Sequence, residues 1–192
     1  SLVGSEMCIR DRERIYTLDI DNEDMNTRLV ERIDSTGDQN NFLSNVKALT
    51  TGTFHSKELE YPEIKTLCEI ISKFAVECAE KENMYQSPNH LRRSQMSNWY
   101  NAYIKHLRVT AIWGTRYEKE QITIPHNHWP ARWAFTYYID PPENAQGLWI
   151  TDAGVEIPIK HGRLLLFKGN VIHETKPVRL KGYRYCIAGT VD

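Results

Sequence analysis

Cysteine is scarce in this 192-residue chain, with four in all. Cys68 and Cys78 fall on one predicted helix about 15 Å apart by helical rise, far beyond disulfide reach, and Cys186 lies far downstream. No disulfide framework can be read, so a reducing, cytoplasmic setting is expected. An excess of charge of one sign is also missing: 24 Lys and Arg stand against 25 Asp and Glu, without a block of like charges. Phosphate binding needs a basic footprint, so long nucleic acid is an unexpected partner. Apolar runs nowhere approach the roughly 18 residues of a membrane span, so none is expected. What is present is 41% hydrophobic and 10% aromatic residues, the composition of a folded globular chain rather than a disordered one.

The first eleven residues stand apart. Ser1 to Asp11 reads SLVGSEMCIRD, which is what one frame of a transposon adapter used for sequencing libraries translates to. Such a segment is expected to lie outside the fold, and with it go the apparent start at Met7 and the thiol of Cys8. Without Arg10, Glu6 and Asp11 the chain carries 23 charges of each sign. About 181 residues remain, enough for one domain with a single sizeable core.

Residues 12–106 read as a helical and irregular support, and residues 107–192 as a β-rich core of the same domain. The stretch from 13 to about 50 is polar, with an acidic run from Asp19 to Asp24 and turn clusters at Ser35-Thr36-Gly37-Asp38 and Asn40-Asn41. An amphipathic helix is predicted over 62–82, opened by Pro62 and carrying Ile64, Leu67, Cys68, Ile71, Phe74, Ala75 and Cys78 at steps of three and four. Ser87-Pro88-Asn89 ends it, and Leu91 to Ile104 is either a short helix or an irregular lead-in. Seven strands are then expected, at 107–113, 121–126, 131–139, 148–151, 155–159, 163–167 and 183–190. Short strands at close spacing with turn residues between them indicate an antiparallel sandwich or barrel.

Three of the seven histidines draw attention. Along Gln121 to His128, the two-residue period of an extended strand puts Ile122, Ile124, His126 and His128 on one face, so two imidazoles project from an otherwise apolar side. Such a pair, taken alone, is more often one core histidine satisfied by a backbone carbonyl and one loop histidine. His173 follows the turn Lys168-Gly169-Asn170. Arg184 then opens a strand whose same face carries Cys186, Ala188 and Thr190, while Tyr185 and Ile187 take the other. Small neighbours leave room for a planar carboxylate beside the guanidinium fork; an exposed arginine at a strand end is the plainer alternative.

Taken together, His126-Asn127-His128, Tyr137-Tyr138-Ile139, Gly162 to Phe167, His173 and Arg184 resemble the 2-oxoglutarate- and Fe(II)-dependent oxygenase superfamily. The likeness is closest to a branch with the pattern His-x-His-Pro, Ser-Gly-Val-Tyr-Tyr-Leu, Gly-x-Leu-x-Leu-Phe-Pro-Ser, His, and Arg eleven residues on. It spans about Ile112 to Asp192, with an echo in Asn45 to Ala48. Trp129 replaces the Pro, Ala134-Phe135 replaces Ser-Gly, and Lys168-Gly169 replaces Pro-Ser.

The resemblance implies a double-stranded β-helix, a cupin-like jelly roll, preceded by N-terminal helices. It implies Fe(II) held by His126 and His173, with 2-oxoglutarate as cosubstrate bound through Arg184. His128 falls where the commoner His-x-Asp form has its carboxylate and is the expected third ligand, with Asp152 as the alternative. A third imidazole keeps the ligand count but brings no negative charge. Tyr137 or Tyr138, whichever faces inward, is expected to hydrogen-bond 2-oxoglutarate, and Trp129 to wall a substrate pocket. The reaction implied is hydroxylation of an unidentified small molecule or peptide, with 2-oxoglutarate decarboxylated to succinate. The rival is a cupin-like module that binds Zn without redox turnover, or a phage-type structural protein on the same fold.

Overall fold

The computed structural model describes residues 5–10, 13–38, 45–54, 60–86, 104–143, 145–179 and 182–192. Most of the ambiguous stretch before Ile104, the Asn40-Asn41 pair and the ends of the adapter-like segment lie outside them. Twelve strands and two helices follow one another: β1 (Ser5–Arg10), β2 (Glu13–Asp19), α1 (Glu23–Thr36), β3 (Val46–Lys47), β4 (Leu49–Thr50), α2 (Pro62–Gln86), β5 (Val109–Tyr117), β6 (Ile122–His126), β7 (Trp133–Tyr138), β8 (Leu148–Ile150), β9 (Val155–Ile157), β10 (Arg163–Lys168), β11 (His173–Thr175) and β12 (Arg184–Val191).

The strands form two antiparallel sheets, one ordered β1-β2-β10-β7-β12-β5-β4 and the other β3-β6-β11-β8-β9. From β5 onward the chain passes repeatedly between the sheets, so residues distant in sequence become neighbours. All seven expected strands are present, with ends shifted by up to four residues. Five strands were not anticipated: β1, β2, β11 and the two-residue β3 and β4. β11 is only three residues long, too short to show a period. β2 lies in the polar N-terminal stretch and pairs with β10 from Ile15 to Asp19, so the N-terminal part supplies a strand as well as support. Ser5–Arg10, expected outside the fold, occupies the edge of the large sheet as β1. An edge strand is held by backbone groups that any sequence carries.

The acidic run of the N-terminal stretch is a helix start. Asn22 caps α1, its Oδ1 accepting from the Met25 N–H at 3.0 Å, and Glu23 and Asp24 fill the first turn, where the helix dipole favours negative charge. Met25, Leu29 and Ile33 form its buried stripe. The α2 stripe holds as expected for Ile64, Leu67, Ile71, Phe74, Ala75 and Cys78, while Cys68 is half-buried. Cys68, Cys78 and Cys186 form no disulfide. Among the described residues no helix is long and apolar enough to cross a membrane.

Two cores result. One joins the helices to the outer face of the large sheet through Leu29, Ile33, Ile71, Phe74, Trp133, Phe135, Tyr137, Leu164 and Leu166. The other fills the space between the sheets with Ala134, Tyr138, Leu165, Phe167 and Cys186 against Leu148, Ile150 and Ile157. Covering both faces of β7 and β10 explains why their sequences read as continuous apolar runs rather than alternating ones. Gly162 makes the turn into β10 at φ +65°, and a Cβ there would meet the Ile20 carbonyl oxygen at 2.2 Å. Only glycine serves at such a place.

Adjacent Tyr137 and Tyr138 therefore belong to different cores. Tyr137, one of the two expected cosubstrate contacts, faces the helices, where its hydroxyl donates to Asn26 Oδ1 at 2.6 Å. Strand alternation fixes this, since Tyr138 has the inner face. Tyr137→Phe would leave the buried Asn26 oxygen short of a donor, so urea denaturation should show about 1–3 kcal/mol of lost stability, with unchanged 2-oxoglutarate binding.

Candidate metal centre and anion pocket

A cleft of about 420 Å³, including its mouth, opens between the two sheets. β11 and β6 bring the first two histidines together, because His173 and His126 are direct cross-strand partners. Their ring centroids are 4.4 Å apart. His128 follows β6, its N–H donating to the Gly169 carbonyl at 2.7 Å, and its ring lies 5.0 Å from His126 and 5.2 Å from His173. The ligand-capable atoms of all three lie within 4.8 Å of one another.

The shared face expected along 121–128 is not the face that forms. Thr175 pairs with Thr123 and His173 with His126, so two steps on β11 oppose three on β6. The extra residue is a β-bulge, which re-aims the side chains beyond it. It places both Thr123 and His126 on the cleft wall and turns Ile124 outward, 39% exposed. Pro125, which has no N–H to give the ladder, sits at the irregularity.

The imidazoles are set for coordination. His126 Nδ1 lies 2.8 Å from the Ile124 carbonyl oxygen and His173 Nδ1 lies 3.0 Å from that of Val171. A carbonyl only accepts, so each Nδ1 donates and each Nε2 of the neutral ring keeps its lone pair for a metal. Burial holds the rings neutral: His173 is pushed down to about 3, with the neighbouring His126 adding to the effect, His128 to about 4, and His126 below the usual value. Phe167 closes over His173 and Trp113 over His128, at ring distances of 4.8 and 5.7 Å.

This arrangement has a sign in its pH dependence. Unfolded imidazoles take protons below about 6.5, whereas folded His173 and His128 do not until about pH 3 and 4. The metal-free protein should therefore be fully stable, as far as these groups act, above pH 6.5 and lose stability as the pH falls toward 4. His173 alone contributes about 1.4 kcal/mol per pH unit over that window. Urea midpoints measured between pH 7 and 4.5 should show the slope, and His173→Leu should flatten it.

Arg184 lies deeper in the same cleft, 1% exposed. Cys186 and Ala188 follow it on the cleft wall, as the alternation of β12 predicts, and Ile187 packs in the outer core. The guanidinium lies between the rings of Tyr117 and Tyr138, its Cζ 5.1 Å from each centroid. Nη2 donates to Tyr138 Oη and Thr175 Oγ1 at long distances of 3.4 Å each. Nε and Nη1 are buried with no hydrogen-bond partner among the described residues. Burial opposes the charge, yet Tyr138, Cys186 and Tyr117 together move the guanidinium's pKa upward. Burial also raises both phenols and pushes the Cys186 thiol up to about 11, so at neutral pH the arginine is a cation facing neutral groups.

Two expected site residues do not join the cleft. Asp152 is exposed in the turn between β8 and β9, outside the three-histidine group; the turn that Gly154 closes at positive φ carries it away. Trp129 is 75% exposed and does not line the cleft wall. Trp113, Tyr117, Thr123 and Thr175 do line it. Nothing in their local sequence distinguishes them from ordinary core and strand residues, because it is the sheet pairing that aims them inward.

Two antiparallel sheets with few helices give this chain the fold of solved prolyl hydroxylases. The solved structures it resembles include the viral collagen prolyl hydroxylase of Paramecium bursaria Chlorella virus-1 in complex with 2-oxoglutarate, at 13% identity, TM-score 0.58, 92% of this chain and 94% of that one. A prolyl-4-hydroxylase of Pseudomonas putida matches at 10% identity and TM-score 0.59 over 92% and 91% of the two chains. A Trichoplax adhaerens prolyl hydroxylase, bound to a peptide of the hypoxia-inducible factor oxygen degradation domain, matches at 15% identity and TM-score 0.51 over 91% and 82%. No model of a protein family and no curated protein matches the sequence.

Proposed function

We propose that this chain is a 2-oxoglutarate- and Fe(II)-dependent dioxygenase on a double-stranded β-helix, hydroxylating a small-molecule or peptide substrate. The observation that carries this reading is the pairing, in one cleft, of three converging neutral imidazoles with a buried arginine whose Nε and Nη1 have no hydrogen-bond partner among the described residues. Buried polar groups are ordinarily satisfied, so these donors point to an anionic ligand. A carboxylate accepts two N–H bonds from a guanidinium fork.

His126, His128 and His173 would hold the metal, and their donor set suits a first-row divalent ion. When bound, Fe(II) supplies dioxygen activation coupled to oxidative decarboxylation of 2-oxoglutarate to succinate. The chain's own part is orientation and dryness. Arg184 takes the distal carboxylate, with the Tyr138 and Thr175 hydroxyls beside it fixing the fork. Trp113 and Phe167 shield the imidazoles from water, and the carbonyls of Ile124 and Val171 hold two rings in the ligating tautomer.

Anaerobic titration with Fe(II) and 2-oxoglutarate tests the reading. A weak visible charge-transfer band supports it. Metal binding without that band supports a non-redox Zn module, and absence of both removes the site assignment.

A further inference from the structure

The cleft is short of negative charge. Its metal-capable group is three neutral imidazoles, and its most buried charged residue, Arg184, is a cation without a carboxylate partner among the described residues. Glu174 is the single acidic residue on the cleft wall. Its carboxylate pairs with Lys176 at 3.0 Å, so little of its charge is left for the cleft. A divalent ion there would join Arg184 in a low-dielectric space holding three positive charges against one already-paired carboxylate.

We propose that His128 makes metal and dianion a single neutralising unit: each is held weakly alone, and each strengthens the other beyond what chelation alone provides. Accumulated positive charge in a desolvated cavity disfavours a bare metal, and a ligand with two negative charges removes that penalty. A carboxylate at position 128 would remove part of it in advance. Binding linkage is reciprocal, and couplings between sites commonly lie between about fivefold and 150-fold. The identity of the dianion as 2-oxoglutarate rests on the oxygenase reading above.

Calorimetric titration with Co(II), alone and with saturating 2-oxoglutarate or pyruvate, tests this on the intact chain. Pyruvate keeps the chelating 2-oxo acid but carries one charge fewer. In the wild type, 2-oxoglutarate should tighten Co(II) at least about tenfold more than pyruvate does. His128→Asp and His128→Glu should each bind Co(II) alone more tightly than the wild type and respond less to 2-oxoglutarate. Equal enhancement by the two ligands in the wild type overturns the inference while leaving the oxygenase reading intact. So does an undiminished response in a carboxylate variant whose melting shows it folded. If the Co(II)-loaded wild type binds neither ligand, the oxygenase reading falls and the inference with it.

Discussion

Replacing Arg184 with methionine should abolish 2-oxoglutarate binding while leaving the ligand-free protein as stable as the wild type, or more so. The two effects have opposite sign for one reason. In the ligand-free protein the guanidinium is buried without a counter-anion among the described residues, between phenols that burial keeps neutral and with Nε and Nη1 lacking partners there. Burying a charge costs several kcal/mol unless it is compensated, and an apolar side chain of similar volume restores that amount. Once a carboxylate occupies the fork the balance reverses, and breaking such a buried pair costs about 3–5 kcal/mol. That is a loss of at least about a hundredfold in affinity at 1.4 kcal/mol per decade. Calorimetry with 2-oxoglutarate reads the first effect and urea denaturation of metal-free protein reads the second. Lost stability in the ligand-free variant would mark Arg184 as a structural residue.

His173→Ala should remove metal binding more completely than any other single change. His173 is the most buried of the three imidazoles, 4% exposed, and joins β6 to β8 through the centre of the small sheet. Disturbing only the groups that orient a metal-bound histidine ordinarily costs about 10- to 100-fold in affinity, so deleting the ring itself should cost more. Co(II) titration of His173→Ala measures it. His161→Ala is the control. That histidine is exposed and engaged with Glu23 and Asp140 at 2.8 and 3.3 Å, remote in its partners from the cleft, and its loss should leave Co(II) affinity unchanged.

The site was more legible in the sequence than the N-terminal half of the fold. Period-two alternation placed Arg184, Cys186 and Ala188 on one wall, because β12 keeps an unbroken register with β5 from Arg184 to Thr190 and with β7 from Cys186 onward. The same rule failed along Ile122 to His126, where a bulge changes the parity without leaving a mark in hydrophobicity. It also could not separate Tyr137 from Tyr138. Both are fully buried, and the face each takes follows from β7 lying between β10 and β12. The acidic run from Asp19 to Asp24 reads as solvent-exposed when only charge is counted. It reads as a capped helix start once the Asn22 side chain and the first-turn dipole are considered. β11 escaped because three residues carry no period, although it carries His173, the most buried of the three imidazoles.

The bulge on β6 also separates two jobs that a regular ladder would bind together. Upstream of it, Thr123 keeps its pairing with Thr175 and Val46. Downstream, His126 meets His173 while His128 hangs from the loop that follows β10. His128 is thus mounted on a joint rather than on a ladder rung. Residue identity at position 128 can therefore change between acid and imidazole without re-registering the small sheet, so the charge this position lends the cleft is set independently of the scaffold.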